Sequence, residues 1–319
     1  MKILLAGGAG YIGSHTLRHL MENGYSPVVA DSLIYGHKEA VPDNVPLENA
    51  DLLDPDSLSA LFKKYKFDAV IHFAAFTYVG ESVKDPAKYY RNNTVGTLNL
   101  LDAMMTAGVK NIVFSSTAAV YGNPDYTPID EKHPQNPINP YGQSKLMIEK
   151  IFADYERAYG LRWIALRYFN AAGAGWDTGE SHDPETHLIP LVLRAIKTGN
   201  PISVFGNDYD TPDGTCIRDY IHVQDLADAH RRAIEKLGEF TGAINLATGV
   251  GTSNMEIIAM AEKVSGKKCP TVIADRRAGD PARLFASNET ARKILGWTPK
   301  HDLESIIRSA WNWENNRRF

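Results

Sequence analysis

The segment 141–145, YGQSK, contains the residue types and the spacing best suited to acid–base chemistry in this chain. On a helix, residues four positions apart lie on one face, so the phenol of Tyr141 and the ammonium of Lys145 would be neighbours. A phenol ordinarily titrates near about 10, and an adjacent positive charge favours the phenolate. The pair therefore predicts a tyrosine base whose pKa is lowered by a lysine. The alternative is a solvated helix start with a surface lysine.

Hydroxyl side chains precede this pair at the end of an apolar run. Ser115, Ser116 and Thr117 follow the run that begins at Asn111, which has the composition of a buried strand. Ligands of α/β proteins bind outside the carboxyl ends of the strands. We therefore expect these hydroxyls to lie in the same crevice as the tyrosine and lysine. With a nicotinamide in that crevice, the set would be suited to proton and hydride transfer.

A glycine-rich turn lies between the first strand and the first helix. Gly7, Gly10 and Gly13 form the pattern G-x-x-G-x-x-G directly after the apolar run 2–6. Glycine suits a sharp turn, a close approach to a pyrophosphate and tight packing of helix on strand, and the helix start offers amides to the phosphates. Asp31 ends the second strand, where an acidic group bonds the adenosine ribose and would repel a 2′-phosphate. The motif predicts NAD rather than NADP, the alternative being a tight strand-to-helix turn.

The ends of two further strands supply cofactor-side candidates. Asp51 and Leu52 follow a third short strand, where Asp51 either reaches the adenine or caps the next helix. Phe73, Ala74 and Ala75 end the fourth strand. Small residues there would let the backbone lie close to a cofactor, although packing alone could also require them.

Strand-like and helical stretches alternate along the first half of the chain. This alternation predicts an α/β protein with a Rossmann-type doubly wound parallel sheet and a smaller C-terminal α/β substrate domain. We place the NAD-binding domain at 1–170 and the substrate domain at 171–319, part of which returns to the main sheet. Residues 171–187 are expected to form a loop region. The strands are predicted at 2–6, 27–30, 69–73, 111–115 and 163–168, and the helices at 14–23, 56–64, 89–107, 141–159 and 188–198.

Composition excludes several classes of function. The 319 residues carry a net charge of −4 without a basic run, so no nucleic-acid partner is expected. No stretch approaches about 20 apolar residues, which argues against a membrane span. Cys216 and Cys269 are far apart and lack metal-ligand spacing, so we expect neither a disulfide nor a metal site. The apolar run at the N-terminus is too short for a signal peptide, and a cytoplasmic location is expected.

Taken together, these motifs resemble the extended branch of the short-chain dehydrogenase/reductase superfamily. Within that branch the chain is similar to the UDP-glucose (UDP-galactose) 4-epimerase family over nearly its whole length. The resemblance is carried by the blocks 7–14, 79–82, 89–93, 114–122, 139–145, 166–170, 214–223 and 276–280.

The resemblance implies an isomerase that uses tightly bound NAD and acts on a UDP-sugar. Thr117 and Tyr141 would hydrogen-bond the sugar 4-hydroxyl, and Tyr141 would remove its proton. Lys145 would lower the pKa of Tyr141 and bond the nicotinamide ribose. Arg218 and Arg277 would pair with the substrate pyrophosphate. The helices at 89–107 and 141–159 would form a homodimer interface.

The resemblance also assigns residues to the two ligands by position. The cofactor set is Gly7, Gly10, Tyr11, Ile12, Gly13, Asp31, Ser32, Asp51, Leu52, Phe73, Ala74, Ala75, Asn92, Ser115, Tyr141, Lys145 and Tyr168. The substrate set is Thr117, Tyr141, Phe169, Asn170, His187, Leu188, Phe205, Arg218, Tyr220, Arg277, Asp280 and Leu284. Without the family comparison, Arg218-Asp219 and Arg276-Arg277 would be interpreted as surface ion pairs.

Two departures from the family leave the sugar open. Thr77 stands where many members carry a lysine, and the stretch it begins is also similar to UDP-arabinose (UDP-xylose) 4-epimerases. Leu284 stands where hexose-restricted members carry a tyrosine, so an N-acetylhexosamine remains an alternative substrate. Sugar-nucleotide dehydratases place Asp-Glu after the threonine, and Ala118-Ala119 replaces that pair here. Another NAD-dependent sugar-nucleotide oxidoreductase and a non-catalytic dinucleotide-sensing protein are the remaining alternatives.

Overall fold

A computed structural model of the chain describes residues 1–277 and 279–319. Its strands, in chain order, are β1 (Lys2–Ala6), β2 (Ser26–Asp31), β3 (Leu47–Asn49), β4 (Ala69–His72), β5 (Asn111–Ser115), β6 (Arg162–Tyr168), β7 (Asn170–Ala172), β8 (Ala174–Gly175), β9 (Thr178–Gly179), β10 (Ile202–Phe205), β11 (Ile217–Arg218), β12 (Tyr220–His222), β13 (Gly242–Leu246), β14 (Thr252–Ser253), β15 (Thr271–Ala274) and β16 (Arg283–Leu284).

Seven of these strands form one parallel sheet in the order β13-β6-β5-β4-β1-β2-β3. Successive side chains of a strand point to opposite faces. Along β1, Ile3 and Leu5 accordingly pack into one apolar cluster, whereas Leu4 and Ala6 pack into another. Both faces of the sheet are therefore buried, as a parallel sheet requires.

The helices cover both faces. They are α1 (Tyr11–Glu22), α2 (Pro55–Lys64), α3 (Val79–Lys84), α4 (Pro86–Tyr89), α5 (Gly96–Thr106), α6 (Pro140–Tyr159), α7 (Leu188–Thr198), α8 (Val223–Lys236), α9 (Asn254–Ser265) and α10 (Leu303–Asn315). Apolar residues of α1 and α8 fill the first cluster, and those of α2, α5 and α6 fill the second. Short 3₁₀ turns occur at Lys38–Ala40 and Ala118–Val120, and wider π turns at Tyr90–Val95 and Ala291–Leu295. The predicted doubly wound α/β fold is confirmed.

A third apolar cluster lies outside the main sheet. It is formed by α7, α9 and α10 together with residues of β10 and β12. The smaller sheets β10-β15, β14-β11-β16, β12-β7 and β8-β9 belong to the same part of the chain. Helix α8 and strand β13 return from this part to the main sheet, where β13 pairs with β6. The division at residue 170 into two domains stays a prediction.

Two local predictions differ from the structure. The helix expected at 89–107 runs from the last residue of α4 through the π turn Tyr90–Val95 into α5, and Asn93 within that turn bonds the backbone of Phe76. The loop expected at 171–187 contains part of β7 and the β8-β9 hairpin. Strands this short show no periodicity of their own and form by pairing with neighbours.

The predicted helix at 188–198 is confirmed at both ends, by α7. The described helices include none with the length and apolar character needed to cross a membrane.

Candidate active site

Three glycines of the turn between β1 and α1 meet three different steric demands. Gly7 has a φ of +81°, and a Cβ there would lie 2.5 Å from the amide nitrogen of Ala74. A Cβ on Gly13 would lie 2.3 Å from the carbonyl oxygen of Gly7, so the start of α1 packs directly on the turn. A Cβ on Gly10 would meet nothing nearer than 3.5 Å. The space beside Gly10 therefore remains open at the amino end of α1, where an anionic group is favoured.

Asp31 ends β2 beside this turn. Its side chain is buried, and its two carboxylate oxygens accept hydrogen bonds from the amides of Ala9 and Leu33, both at 2.9 Å. Burial raises the pKa of this carboxyl, while the two amides oppose the rise. Ser32 follows directly and is half-buried. The arrangement holds a carboxylate at the end of the second strand, as predicted.

Asp51 does not cap the following helix. The cap of α2 is Asp54, whose side chain accepts from the amides of Asp56 and Ser57. The carboxylate of Asp51 accepts from the amide of Leu53 at 2.8 Å, and its side chain is half-buried. The capping alternative for Asp51 is therefore wrong, and its contact with an adenine stays a prediction.

The backbone after β4 lies against the glycine turn. The amides of Phe73 and Ala74 both donate to the carbonyl oxygen of Ala6, at 2.8 and 2.9 Å, and Ala75 follows them. Asn93 holds the next residue by donating to the Phe76 carbonyl oxygen at 3.1 Å and accepting from its amide at 2.8 Å. Its neighbour Asn92, the predicted cofactor residue, donates to Asn93 at 2.9 Å. Asn93 is thus a structural residue of this site that was not predicted individually.

Lys145 projects from α6 towards the end of β5. Its Nζ donates to the carbonyl oxygen of Ser115 at 2.7 Å and lies 4.6 Å from the centre of the Phe114 ring. Its side chain is buried, and burial lowers its pKa to about 7, although Glu149 opposes that shift. The Ser115 hydroxyl bonds the buried Tyr168 hydroxyl. Lysine, serine and Tyr168 thus come together at the carboxyl edge of the sheet.

Tyr141 and Thr117 lie beside each other at the same edge. Tyr141 begins the first turn of α6 and is half-buried, and Thr117 is buried directly after β5. Burial raises the pKa of Tyr141, and the hydroxyl of Thr117 opposes the rise. The sequence predicted that Lys145 would lower this pKa. The difference arises because burial of the phenol has the largest effect on this pKa, while Lys145 bonds the Ser115 carbonyl oxygen instead.

A buried ion pair that the sequence analysis missed supports this edge. Glu149 lies one turn after Lys145 on α6 and accepts from both the Nε and an Nη of Arg167. Ser116 donates to the same carboxylate at 2.5 Å, and Arg167 donates to the Tyr121 hydroxyl at 2.9 Å. Glu149 lies on α6 and Arg167 on β6, so no local spacing in the sequence indicates that they form a pair. The spacing of Lys145 and Glu149 was the only available indication.

A second buried carboxylate joins the substrate-side segments. Asp219 has none of its surface exposed and accepts from the amide and hydroxyl of Thr248, at 2.8 and 2.7 Å, and from the amide of Gly249 at 3.2 Å. Its carbonyl oxygen accepts from Asn170. Burial raises the pKa of this carboxyl to about 6. The interpretation of Asp219 as a surface ion-pairing residue was wrong.

The predicted pyrophosphate-binding arginines converge on one carboxylate. An Nη of Arg218 lies 3.4 Å from Asp280, and the Nε of Arg277 lies 3.8 Å from it. The Arg277 guanidinium also lies 4.7 Å from the centre of the Phe205 ring. Arg276 instead forms an exposed pair with Asp208 at 2.7 Å. Ala278, inside the same motif, lies outside the described residues.

The other predicted substrate residues lie in two places. Phe169 and Leu284 pack against the small apolar cluster of Val120, Tyr121 and Leu146, beside the edge that holds Thr117. Tyr220 and Leu188 belong to the third apolar cluster, where the ring of Tyr220 is buried. Asn170 donates both its amide and its Nδ2 to the Asp219 carbonyl oxygen, at 3.1 and 2.9 Å.

His187 and Tyr11 both lie against the ring of His182. His187 immediately precedes α7 and lies beside Glu180 and Glu185. Burial alone would lower the pKa of its imidazole, but these carboxylates raise it to about 10. The Tyr11 hydroxyl donates to the carbonyl oxygen of Gly173 at 2.6 Å, and Ile12 packs against the first apolar cluster.

Comparison with known proteins agrees with this geometry. A family model described as NAD dependent epimerase/dehydratase family matches residues 3–247. The chain belongs to the NAD-dependent epimerase/dehydratase family. Such members use NAD, and the open side of Gly10 next to the buried Asp31 carboxylate fits a dinucleotide that approaches the start of α1.

Relatives within this family share a common name. A UDP-glucose 4-epimerase of Lacticaseibacillus casei is 51% identical over 99% of this chain and 97% of its own length. A crystal structure of UDP-glucose 4-epimerase from Brucella ovis in complex with NAD has a TM-score of 0.94 at 51% identity, covering 98% of this chain and 97% of that one. The enzyme from Bifidobacterium longum in complex with NAD+ and UDP has a TM-score of 0.94 at 37% identity, covering 99% of both chains.

Proposed function

We propose that this protein is an NAD-dependent isomerase that inverts the C4 centre of a UDP-sugar, with UDP-glucose and UDP-galactose as its substrates. The observation that carries the proposal is the placement of Tyr141, Thr117 and the buried Lys145 at one sheet edge beside the glycine turn. Ala118 and Ala119 follow Thr117, so the position where a dehydratase places its acids contains methyl groups. This set can move a proton at a hydroxyl but offers no acid there for the loss of water.

The reaction depends on proton movement at the phenol of Tyr141. Thr117 and Tyr141 hydrogen-bond the sugar 4-hydroxyl, and the Tyr141 phenolate removes its proton as C4 becomes a ketone. When bound, NAD supplies the positive charge and the hydride acceptor and donor that this step needs. The sugar would then turn about its link to the pyrophosphate, so that the hydride returns to the opposite face of C4 while the Tyr141 phenol returns the proton to the 4-oxygen.

The protein holds its cofactor through the residues around the glycine turn. Gly7, Gly10 and Gly13 with the start of α1 receive the pyrophosphate, and Asp31 receives the adenosine ribose hydroxyls. Lys145 bonds the nicotinamide ribose as well as the Ser115 carbonyl oxygen. Because NAD is regenerated in each cycle, it can remain bound as a permanent group.

The substrate lies against the second part of the chain. Arg218 and Arg277 release Asp280 to bond the pyrophosphate, since two guanidiniums are better matched to two phosphates than to one carboxylate. Asn170 and Phe169 hold the sugar, together with the backbone near His187 and Leu188. Leu284 is smaller than a tyrosine, which supports acceptance of an N-acetylated hexose as an additional substrate.

The proposal also includes a homodimer formed by α5, α6 and their preceding turns, a cytoplasmic location and a role in galactose metabolism. The dimer is supported by the exposed apolar side chains of Val79 and Val83 on α3, Val95 in the π turn before α5, and Met147 on α6. Exposed apolar residues grouped on one surface favour association.

The test uses the purified full chain with no added NAD. We expect it to interconvert UDP-galactose and UDP-glucose, which chromatography of the two UDP-sugars would measure. We also expect it to release NAD on denaturation. Tyr141→Phe should lower kcat by about 10²–10⁴-fold, the usual contribution of a positioned acid–base group. Tyr159→Phe, on the exposed end of the same helix, is the matched control and should behave like the parent.

The proposal is wrong if the parent leaves UDP-galactose, UDP-N-acetylgalactosamine and UDP-arabinose all unchanged. It is equally wrong if Tyr141→Phe retains the activity of Tyr159→Phe. Turnover that requires added NAD in stoichiometric amounts would instead identify a net oxidoreductase.

A further inference from the structure

Four metal-ligating side chains converge between the glycine turn and the first turn of α7. They are Glu180, His182, Glu185 and His187, and one nitrogen or oxygen of each lies within 4.8 Å of the others. We call this set the His–Glu cluster. None of its members has a part in the proton transfer proposed for Tyr141.

The His–Glu cluster is held together by short contacts between its imidazoles and its carboxylates. Glu180 Oε1 lies 2.7 Å from Nδ1 of His187 and 3.3 Å from Nδ1 of His182. Glu185 Oε1 lies 3.1 Å from Nδ1 of His187. The same nitrogen type of both imidazoles is therefore directed at the carboxylates, which leaves each Nε2 on the outer side.

Two polar atoms of the cluster are buried without a hydrogen-bond partner among the described residues. They are Oε2 of Glu185 and Nδ1 of His182, which lies 3.3 Å from Glu180 Oε1 without the geometry of a hydrogen bond. The Glu185 side chain is only 1% exposed, and the nearest basic side chains to its Oε2 are Arg194 at 3.8 Å and His182 at 3.9 Å. A buried polar atom without a hydrogen bond is costly, so native structures normally provide such an atom with a partner. A ligand in the centre of the cluster would satisfy both atoms.

The charges of the cluster indicate that its ligand is a cation. The side chains of Glu180 and Glu185 are 7% and 1% exposed, so two carboxylates lie close together away from water. Buried charges of one sign need compensation. His187, whose pKa these carboxylates raise to about 10, supplies one positive charge at 2.7 and 3.1 Å, and Arg194 approaches Glu185 only at 3.8 Å. A metal would take the place of the proton on His187. A divalent cation would compensate both carboxylates at once.

We propose that the His–Glu cluster binds one divalent transition-metal cation, with Zn²⁺ as the best-matched ion. Two imidazole nitrogens and two carboxylate oxygens make a four-ligand set that zinc accepts. An all-oxygen set would favour Mg²⁺ or Ca²⁺, whereas imidazole ligands favour zinc and its neighbours. Four protein ligands leave no open position, so the site is structural.

The position of the cluster gives the metal a defined effect on the fold. The ring of His182 contacts the ring of Tyr11 edge-on, with centroids 6.4 Å apart, and Tyr11 begins α1. His187 immediately precedes α7. A metal held by both histidines would therefore tie the chain segment before α7 to the start of α1. This proposal departs from the expectation, drawn from the two cysteines, that the chain has no metal site.

The experiment measures metal binding by the untagged full chain after treatment with a chelator. Calorimetric titration with Zn²⁺ should give one site per chain, and Co²⁺ should give the visible absorption bands of a tetrahedral site. Zn²⁺ should also raise the thermal midpoint, because a ligand that binds the folded state stabilises it. Glu185→Gln and His182→Gln should each weaken Zn²⁺ binding by at least about tenfold.

His301→Gln is the matched control, because His301 forms a pair with Asp225 at 2.9 Å outside the cluster. This variant should bind Zn²⁺ as the parent does. Circular dichroism shows which variants fold. Because Glu185→Gln and His182→Gln remove different ligands, one of them that folds is enough for the test. The proposal is overturned if the parent binds no stoichiometric Zn²⁺, or if a folded cluster variant binds as tightly as His301→Gln. Either result leaves the epimerase proposal untouched, since the readout is metal binding.

Discussion

The Nζ of Lys145 donates a hydrogen bond of 2.7 Å to the carbonyl oxygen of Ser115, and so fixes the first turns of α6 against the end of β5. The bond keeps a buried amine directed at the sheet edge where Thr117 follows. Burial lowers the pKa of this amine to about 7. A lysine in that range can exchange its proton near neutral pH.

Lys145→Met should reduce turnover without unfolding the protein. Methionine fills a similar volume but cannot bond the Ser115 carbonyl oxygen or a ribose hydroxyl. We expect kcat for the UDP-galactose reaction to fall by about 10²–10⁴-fold. Lys150→Met, an exposed position on the same helix, should retain parental kcat. Equal rates for the two variants would contradict the role proposed for Lys145.

The same substitution should change how stability depends on pH. The folded-state pKa of Lys145 is about 7, against an ordinary value of 10.5, so the unfolded chain binds the extra proton throughout that window. The contribution of Lys145 to the free energy of unfolding therefore increases with pH between about 7 and 10.5, by about 1.4 kcal/mol per pH unit. Urea unfolding of the parent and of Lys145→Met across this window should differ by that slope. Parallel curves would show that burial does not shift this pKa.

Glu149→Gln should strongly destabilise the fold, because it leaves the Arg167 guanidinium buried without its counter-charge. The expected loss is about 3–5 kcal/mol in the free energy of unfolding. Asp154→Asn removes one partner of an exposed pair with Arg157 on the same helix and should cost less than about 1 kcal/mol.

Removing both charges tests whether the unpaired charge of Arg167 causes the loss of stability in Glu149→Gln. The double variant Glu149→Leu with Arg167→Met removes both charges and should recover much of the lost stability, measured by urea unfolding. A double variant less stable than Glu149→Gln would point to shape rather than charge.

Alanine substitutions at two glycines of the turn should distinguish an effect on folding from an effect on cofactor binding. Gly13→Ala places a methyl group against the Gly7 carbonyl oxygen and should cost about 3 kcal/mol or more in stability. Gly10→Ala has room within the protein and should keep the parental thermal midpoint. It should nevertheless weaken NAD retention by about 1–3 kcal/mol, measured as NAD content after dialysis. Gly80→Ala, on an exposed helix with free space around it, is the control for both.

Leu284 should influence the choice of sugar. Leu284→Tyr enlarges the side chain that packs beside Phe169 and should exclude an N-acetyl group. The ratio of kcat/KM for UDP-N-acetylgalactosamine to that for UDP-galactose should fall at least about tenfold. Leu284→Ala should move the ratio in the opposite direction. Unchanged ratios in both variants would remove Leu284 from the sugar pocket.

Local patterns predicted most of the main sheet and the glycine turn. The apolar run of β1, the glycines after it and Asp31 lie within one β-α-β unit, so their spacing carries the information. Helix α7 was predicted at both ends because it combines helical periodicity with a terminal glycine.

The missed features depend on partners far apart in the chain. Glu149 pairs with Arg167 across α6 and β6, and Asp219 bonds Thr248 across α8 and β13. A sequence shows the charge of Asp219 but not that its surroundings exclude water. The pKa of Tyr141 was also predicted with the wrong direction, because the desolvation of a phenol depends on packing that no spacing encodes.

The pairing of β13 with β6 also sets the alignment of the substrate side. Leu246 lies opposite Tyr168 in the ladder, so the segments that carry Asn170 and Thr248 leave the sheet at the same level. Asp219 then bonds both segments. A slip of β13 by one residue would displace Thr248 by about 3.3 Å and turn every side chain of the strand to the other face. Because Asn170 is proposed to hold the sugar, strand register at the edge of the sheet would set the level at which the sugar is held.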